Sequence, residues 1–453
     1  MCYQVVHHPK ECRKILEMSD KGNLDKISTL PDELLANILS SLPTLSAVQT
    51  SILSSRWRHL FTLTRNLSID DREYFGTASL AQSEERRMSF ERFVDGVFAL
   101  HGISPIHKLK LIITFTYDCP HLPLWITAAI LKGVQHLDLC IGNHPNALPS
   151  CIFDCQTLTT LDILALTNKG YDLSVPGLVC LPSLTTLKLN NMRILDGDSV
   201  NRFFVGCSHL KELYLHFCRF TTDHVCISAT ELRTLRIICC SGHLVIDAPK
   251  LANLLHICMP PFLGVGVKNL RSLLSVELCL LLTSRPPQVL HDIIRGANNA
   301  KELILKDSAV QLLTMVGDNP IPTHSKLEKL QLGFCCHDTW KYLMVWPKNS
   351  PQLETIIFTE GLIEMDDTKD ELHPDVALPP FSSNVRTIKV HQFTGRKVEI
   401  LLLKYLLENA GVLQRLILIK DDTMEMNQEL QVSKELPLLP KASTYCTIEL
   451  IEP

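Results

Sequence analysis

LPSLTTLKLNNMR, residues 181–193, reads leucine, two residues, leucine, one residue, leucine, at Leu184, Leu187 and Leu189. Its last three template positions alternate in, out, in, which is the period of a strand that buries one face. Working outward, LTTLDI (158–163) repeats the pattern on one side, and HLKELYLHFC (209–218) and LRTLRIICC (232–240) repeat it on the other. Thirteen copies run from Ile106-Leu109-Leu111 to Leu413-Leu416-Leu418, and scattered leucines in an ordinary α/β protein would not keep step in this way.

From Leu137 to Leu416 the second apolar positions are 24, 26, 26, 22, 19, 22, 27, 27, 26, 32 and 28 residues apart. That is the leucine-rich-repeat period. Roughly 20 residues between copies leave room for a turn and a return arm, and stacked copies bury together the apolar face that one copy cannot hide. The expected fold class is therefore α/β: a curved parallel sheet with outer helices or loops. The register at Leu251-Leu254 is ambiguous. The Asn or Cys that closes the template is met at Cys218, Cys240 and Cys335 but is missing at Met192, so an uneven solenoid with structural cysteines is expected.

Composition narrows the function classes. Apolar residues are 46% and charged residues 20%, an ordered balance, and the formal charge of -4 gives no basic field for nucleic acid or anionic membrane. The 17 cysteines are odd in number and irregularly spaced, which favours reduced thiols in cytosol or nucleus over a disulfide scaffold. The first residues, MCYQVVHHPKECRK, hold no stretch apolar enough for a signal peptide. The most apolar runs, 273–282 and 400–407, carry Glu277 and Lys404 and are too short to span a bilayer. A soluble protein is expected.

Ahead of the repeats, LPDELLANIL (30–39) and LPTLSAVQTSILSSRWRHL (42–60) read as three short helices. Pro31 suits the first helical turn, and Asp32 and Glu33 suit the positive end of the helix dipole. Leu34, Leu35, Ile38, Leu39 and Leu42 form a stripe wider than so small a bundle can bury. Pro43 ends that helix; Ala47-Val48 and Ile52-Leu53 are expected on the inner face of the second. Its Leu-Pro, Ile-Leu, Val, Ser and Arg-Trp-Arg pattern resembles an F-box over about 40 residues. The resemblance implies binding of a Skp-type adaptor and, through it, of a cullin with its RING protein and charged conjugating enzyme. It assigns adaptor contacts to Leu30, Pro31, Leu34, Ile38 and Leu39, and holds the third helix by Trp57 and Leu60. Trp57 is counted with the adaptor contacts as well, though it is a packing anchor first, and Arg56 and Arg58 read as a solvated face.

At the other end, residues 378–420 predict a strand, a turn at Gly395, a helix over 397–409 stopped by Ala410-Gly411, and a final strand over 413–419. KYLLENAGVLQRL (404–416) resembles the FBD region of plant F-box and leucine-rich-repeat proteins. The acidic stretch 360–375 reads as a solvated loop. The expected organisation is a disordered tail (1–24), an F-box (25–70), a linker helix (71–105), a leucine-rich-repeat solenoid (106–375) and an FBD-like cap (376–450).

No chemistry of its own is expected. The cysteine pairs 151/155, 239/240 and 335/336 lack the C-x-x-C spacing of zinc sites, and Cys335-Cys336-His337 has no partnered base to recommend it. No phosphate loop or hydrolase motif occurs, so neither cofactor nor metal is expected. The family resemblance implies a non-catalytic substrate-recognition subunit of a ubiquitin ligase, working by proximity. Its target would lie on the outward row Asp138, Asp162, Lys188, Tyr214, Arg236, Glu277, Ile304, Gln331 and Ile357. Tyr214 between Lys188 and Arg236, with Glu277 further along, is the best candidate patch, because Tyr and Arg dominate interface energies. A non-ligase scaffold on the adaptor and a small-molecule-dependent co-receptor are the competing readings, and the target's identity is not legible.

Overall fold

The computed structural model describes residues 27, 29–76, 84–114, 119–142, 147–194, 196–221, 225–242, 244–258, 265–280, 293–307, 309–310, 323–333, 340, 346–363 and 384–453. The chain divides into two compact units, residues 1–110 and 111–453.

Among its described residues the first unit begins with three short helices: α1 (Asp32–Leu39), α2 (Thr44–Gln49, continued by a 3-10 turn Thr50–Ile52) and α3 (Trp57–Leu60, continued by Phe61–Leu63). Pro31 and Pro43 are the N-caps of α1 and α2, one position outside the helices, so their missing N–H groups leave no orphan. The core comprises Leu35, Ala36, Leu39, Ala47, Leu60 and Phe61. Thr44 is buried as well, and its Oγ1 accepts from Ser68 N at 2.8 Å, tying α2 to the strand Asn66–Asp70. A long helix, Glu84–His101, buries Phe90, Val94, Val97 and His101; the His101 ring meets the Thr64 carbonyl through Nε2 at 2.7 Å.

Two expectations for this unit are corrected. Ile52 and Leu53 are 67% and 66% exposed; the turn tightens into 3-10 geometry after Gln49 and carries them away from the core. Arg58 is exposed as expected, but Arg56 is half-buried and engaged: its guanidinium bonds Asp32 Oδ1 (2.7 Å from Nε) and the Leu30 carbonyl.

The strand Lys108–Ile113 carries the chain into the second unit. There His136–Ile141, Thr160–Ala165, Thr186–Asn190, Glu212–His216, Thr234–Ile238, Asn253–Cys258, Ser275–Leu280, Glu302–Asp307, Lys329–Leu332, Thr355–Phe358, Thr387–Phe393, Arg415–Lys420 and Thr447–Ile451 lie side by side in chain order. Each pairs in parallel with the next. This is the leucine-rich-repeat sheet that the period predicts. The inner positions, Leu137 through Leu416, are at most 5% exposed. The ambiguous register resolves with Leu254 inward between Leu235 and Val276.

Repeat length decides the return arm. Longer repeats accommodate helices such as Gly197–Gly206 and Lys397–Asn409. The three short ones, 22, 19 and 22 residues, have no room, and their arms run extended as Val225–Ser228, Leu244–Asp247 and Val265–Lys268, a second parallel sheet.

Two places after the inward residues Leu189, Leu215, Ile237 and Val390 the backbone turns left-handed, at Asn191 (φ 59), Phe217 (φ 53), Cys239 (φ 49) and Gln392 (φ 50). Asn191 offsets that strain by donating Nδ2 to the carbonyls of Ala165 (2.9 Å) and Thr167 (2.6 Å). One place further, Cys218 and Cys240 are buried and donate Sγ to Leu189 O (3.4 Å) and Leu215 O (3.3 Å) of the preceding repeat. These cysteines serve the backbone. Cys335 lies outside the described residues, as do Cys336, His337 and most of the acidic stretch.

Near the C-terminus, Gly395 turns at φ +73, where a Cβ would meet Val432 Cγ2 at 2.7 Å. The helix that follows ends at Asn409 with Ala410 as C-cap, and Gly411 does not take the left-handed conformation expected of a glycine stop. Arg415–Lys420 is not the final strand. A helix (Met426–Glu435) returns the chain to Thr447–Ile451, which pairs with Arg415–Lys420 at the sheet's end. Lys420, 8% exposed, ties these pieces together through Glu429 (2.6 Å) and Glu452; the same two hydrogen bonds hold its ammonium above the usual lysine range.

Candidate functional site

Two surfaces stand out, one in each unit. On α1, the four-residue spacing of Leu35 and Leu39 turns both into the bundle, at 0% and 1% exposed. The neighbouring line, Leu34 and Ile38, faces outward at 49% and 48%, and Leu42 continues it at 36%. One apolar stripe is thus split lengthwise by the packing of α3. Of the residues assigned to adaptor contact, Pro31, Leu34 and Ile38 are exposed, and Leu30 and Trp57 are half-buried. Leu39 is corrected to core: a side chain 1% exposed inside a close-packed bundle has no surface to offer. Leu42, already part of the stripe in the sequence, and Ile52 and Leu53, expected inside, are exposed aliphatics beside these, because helical periodicity places residues on a face without saying which face the rest of the chain covers.

On the sheet, the pairing register assembles the outward row as expected: Asp138, Asp162, Lys188, Tyr214 and Arg236 are successive neighbours. Leu255, hidden in the ambiguous repeat, stands between Arg236 and Glu277. Lys188, Tyr214 and Arg236 are therefore one patch, and Glu277 is not part of it; Glu277 pairs with Lys306 at 2.7 Å.

The patch is preorganised. Lys188 Nζ lies 5.5 Å from the Tyr214 ring centroid and Arg236 Cζ lies 5.7 Å from it, a cation on either side of one aromatic ring. Tyr214 donates its hydroxyl to Glu212 Oε2 at 3.3 Å, and Lys188 Nζ is 3.4 Å from Asp162 Oδ2. Burial, then the Glu212 carboxylate, raises the Tyr214 phenol. Burial also raises Asp162, against the pull of Lys188. His216 stacks edge-on to Tyr214 at 6.5 Å; burial and then Arg236 lower it, favouring the neutral ring. Its Nε2 is shielded and makes no hydrogen bond among the described residues. The arrangement suits recognition: Lys188 is already paired with Asp162, and an aromatic ring lies within reach of two cations.

Nothing in it resembles a reaction centre. Among the described residues no cluster of His, Cys, Asp or Glu could hold a metal, and no helix is long and apolar enough to cross a membrane. The described cysteines are free thiols, with burial pushing Cys207 up to about 12.

A helical module with an uncovered apolar ridge, followed by stacked parallel-strand repeats, defines a leucine-rich-repeat protein with an N-terminal F-box. Comparison with known proteins agrees. Residues 27–68 match the F-box domain, residues 122–268 the leucine-rich repeats described as "FBD-associated F-box protein At5g56370, LRR repeats", and residues 378–418 the FBD. Among curated relatives, the F-box/LRR-repeat protein At4g14103 of Arabidopsis thaliana is 32% identical over 376 residues, covering 76% of this chain and 94% of the relative. The F-box/LRR-repeat protein At2g42730 of the same plant is 28% identical over 94% of this chain and 98% of its own length. F-box/LRR-repeat protein At3g59200 is 29% identical over 94% and 88%. The chain belongs to the plant F-box/leucine-rich-repeat family that carries an FBD.

Proposed function

We propose that this chain is the substrate-recognition subunit of an SCF-type ubiquitin ligase, with no catalytic group of its own. The F-box binds a Skp-type adaptor and through it a cullin; the outward sheet face holds a target protein, and transfer accelerates because target and charged conjugating enzyme become effectively intramolecular. The carrying observation is the Leu34-Ile38-Leu42 line, which stays solvent-exposed although the bundle beneath it is closed. Large aliphatic side chains in an unbroken line on a small module mark a protein interface. The target side is supported by the Tyr214 patch, where Lys188 and Arg236 hold the ring in place and little ordering entropy remains to be lost on binding. Reduced cysteines suit cytosol or nucleus as the working compartment.

Co-purification from plant cells tests the reading. Adaptor and cullin should accompany the native chain, and both should be lost from Leu34→Asp/Ile38→Asp. Recovery of adaptor without cullin would instead support a scaffold outside the ligase, and target capture that depends on an added small molecule would support the co-receptor reading.

A further inference from the structure

The outward row changes character after Arg236. From there the register reads Leu255, Glu277, Ile304, Gln331, Ile357, Lys389, Ile417: an aliphatic side chain on every second strand and a polar one between. All seven are half-buried, so each still presents surface. The row on one flank is polar, including Glu302, Lys329, Thr355 and Thr387. The result is a file of four aliphatic steps, bordered by hydrogen-bonding groups and interrupted at regular intervals by a polar side chain: Glu277, Gln331 and Lys389.

Spacing selects the occupant. Neighbouring strands lie about 4.8 Å apart, so the aliphatic steps recur about every 9.6 Å across the sheet. An α-helix laid across the strands returns to the same face every seven residues, about 10.5 Å, and reaches the intermediate position with residues three or four along, about 4.5–6 Å. Over the six strand steps from Leu255 to Ile417 the sheet advances about 29 Å and three heptads about 31 Å, a difference that side-chain rotamers absorb. An extended chain with a three-residue period matches the aliphatic steps too, at about 9.3 Å, but its intervening side chains point away and leave Glu277, Gln331 and Lys389 unanswered.

Charge sets the polarity of the contact. Glu277 is already neutralised by Lys306 at 2.7 Å, and Gln331 donates to Glu302 Oε1 at 2.7 Å. Lys389 has no ion-pair partner among the described residues, and its charge, after burial, lowers His391. A ligand running along this file therefore needs a carboxylate at one place, opposite Lys389.

We infer that the second half of the sheet face is a docking track for one amphipathic α-helix of the target, with aliphatic residues at heptad spacing and an acidic residue facing Lys389. This rests on the target-binding reading above and names the form of target that the face takes.

Two synthetic 25-residue peptides of identical composition test it, titrated by fluorescence anisotropy against the full chain held in its adaptor complex. The first has leucines at positions 1, 8, 15 and 22 with a glutamate at 18; the second has its leucines at every third position. The heptad peptide should bind, and Ile304→Asp/Ile357→Asp should weaken it at least tenfold while circular dichroism and adaptor binding stay unchanged. Lys389→Glu should weaken it several-fold, and a lysine at peptide position 18 should restore binding to that variant. The inference is overturned if the heptad peptide does not bind, if the three-residue peptide binds as tightly, or if Ile304→Asp/Ile357→Asp has no effect. None of these outcomes touches the adaptor and cullin co-purification, which depends on residues of the other unit, so failure here is separable from failure of the ligase reading.

Discussion

Arg56 reaches back across 24 residues to Asp32, with Nη2 2.6 Å from Oδ1, and its guanidinium also meets the Leu30 carbonyl. The contact joins the start of α3 to the start of α1, where Asp32 already complements the helix dipole. It fixes the Leu-Pro entry into α1, and so the direction in which Leu34 and Ile38 point. Arginine is required because a planar fork can serve a carboxylate and a carbonyl at once.

Arg56→Ala should therefore loosen α1. Both partners are more than a third exposed, so the loss is only about 1 kcal/mol. The check is hydrogen exchange at the amides of Leu34 and Leu35, both bonded to the Pro31 carbonyl, which should speed up by about fivefold. Arg56→Lys should recover only part of the protection.

The two flanks of α1 should respond oppositely to mutation. Leu35→Ala opens a cavity in the bundle and should cost about 2–5 kcal/mol, read as a lower unfolding midpoint of the isolated chain. Ile38→Asp, on the open flank, should leave that midpoint within about 0.5 kcal/mol and abolish adaptor binding in a pull-down.

At the proposed target patch, Tyr214→Ala should reduce capture of the bound target by tenfold or more, since it removes the ring that Lys188 and Arg236 both approach. Lys250→Ala, which removes an exposed ammonium paired with Glu231 off the outward row, should leave capture within about threefold. Equal losses from the two substitutions would show that the patch is not the centre of the interface.

His256 introduces a pH dependence. It faces inward between Ile237 and Leu278 and is 7% exposed, and burial lowers it to about 4. The unfolded chain binds the proton near pH 6.5 and the folded chain does not until about 4. Stability is therefore full above pH 6.5 and is lost as pH falls through that window, by a total of about 3 kcal/mol. His256→Leu should flatten thermal stability between pH 7.5 and 5 and raise it at the acid end; an unchanged slope would put the sensitivity elsewhere.

Thiol reactivity should sort by depth. Exposed Cys226 should be modified first in the native protein. Cys218 and Cys240, buried and bonded to carbonyls, should react only on unfolding, and Cys207, pushed up to about 12 by burial, should stay a neutral thiol.

Much of this protein is legible along its chain. Strand alternation is a local property, so the positions of Leu187 and Tyr214 within their repeats already tell inside from outside, and the stacking of repeats follows because no single copy can bury its own face. The F-box is readable for a similar reason: proline, acidic and aliphatic spacing specify where each short helix starts and stops. What the chain alone could not decide was which flank of a stripe its other segments cover. Leu34 and Leu35 are adjacent and chemically identical, yet only α3 makes one core and the other surface; Arg56 reads as solvated until Asp32 is brought beside it. Leu255 joined the row, and Thr447–Ile451 the sheet, only when neighbouring strands fixed the register. These outcomes belong to tertiary structure because burial and pairing are relations between distant segments, and a periodic pattern records only the residue's place within its own.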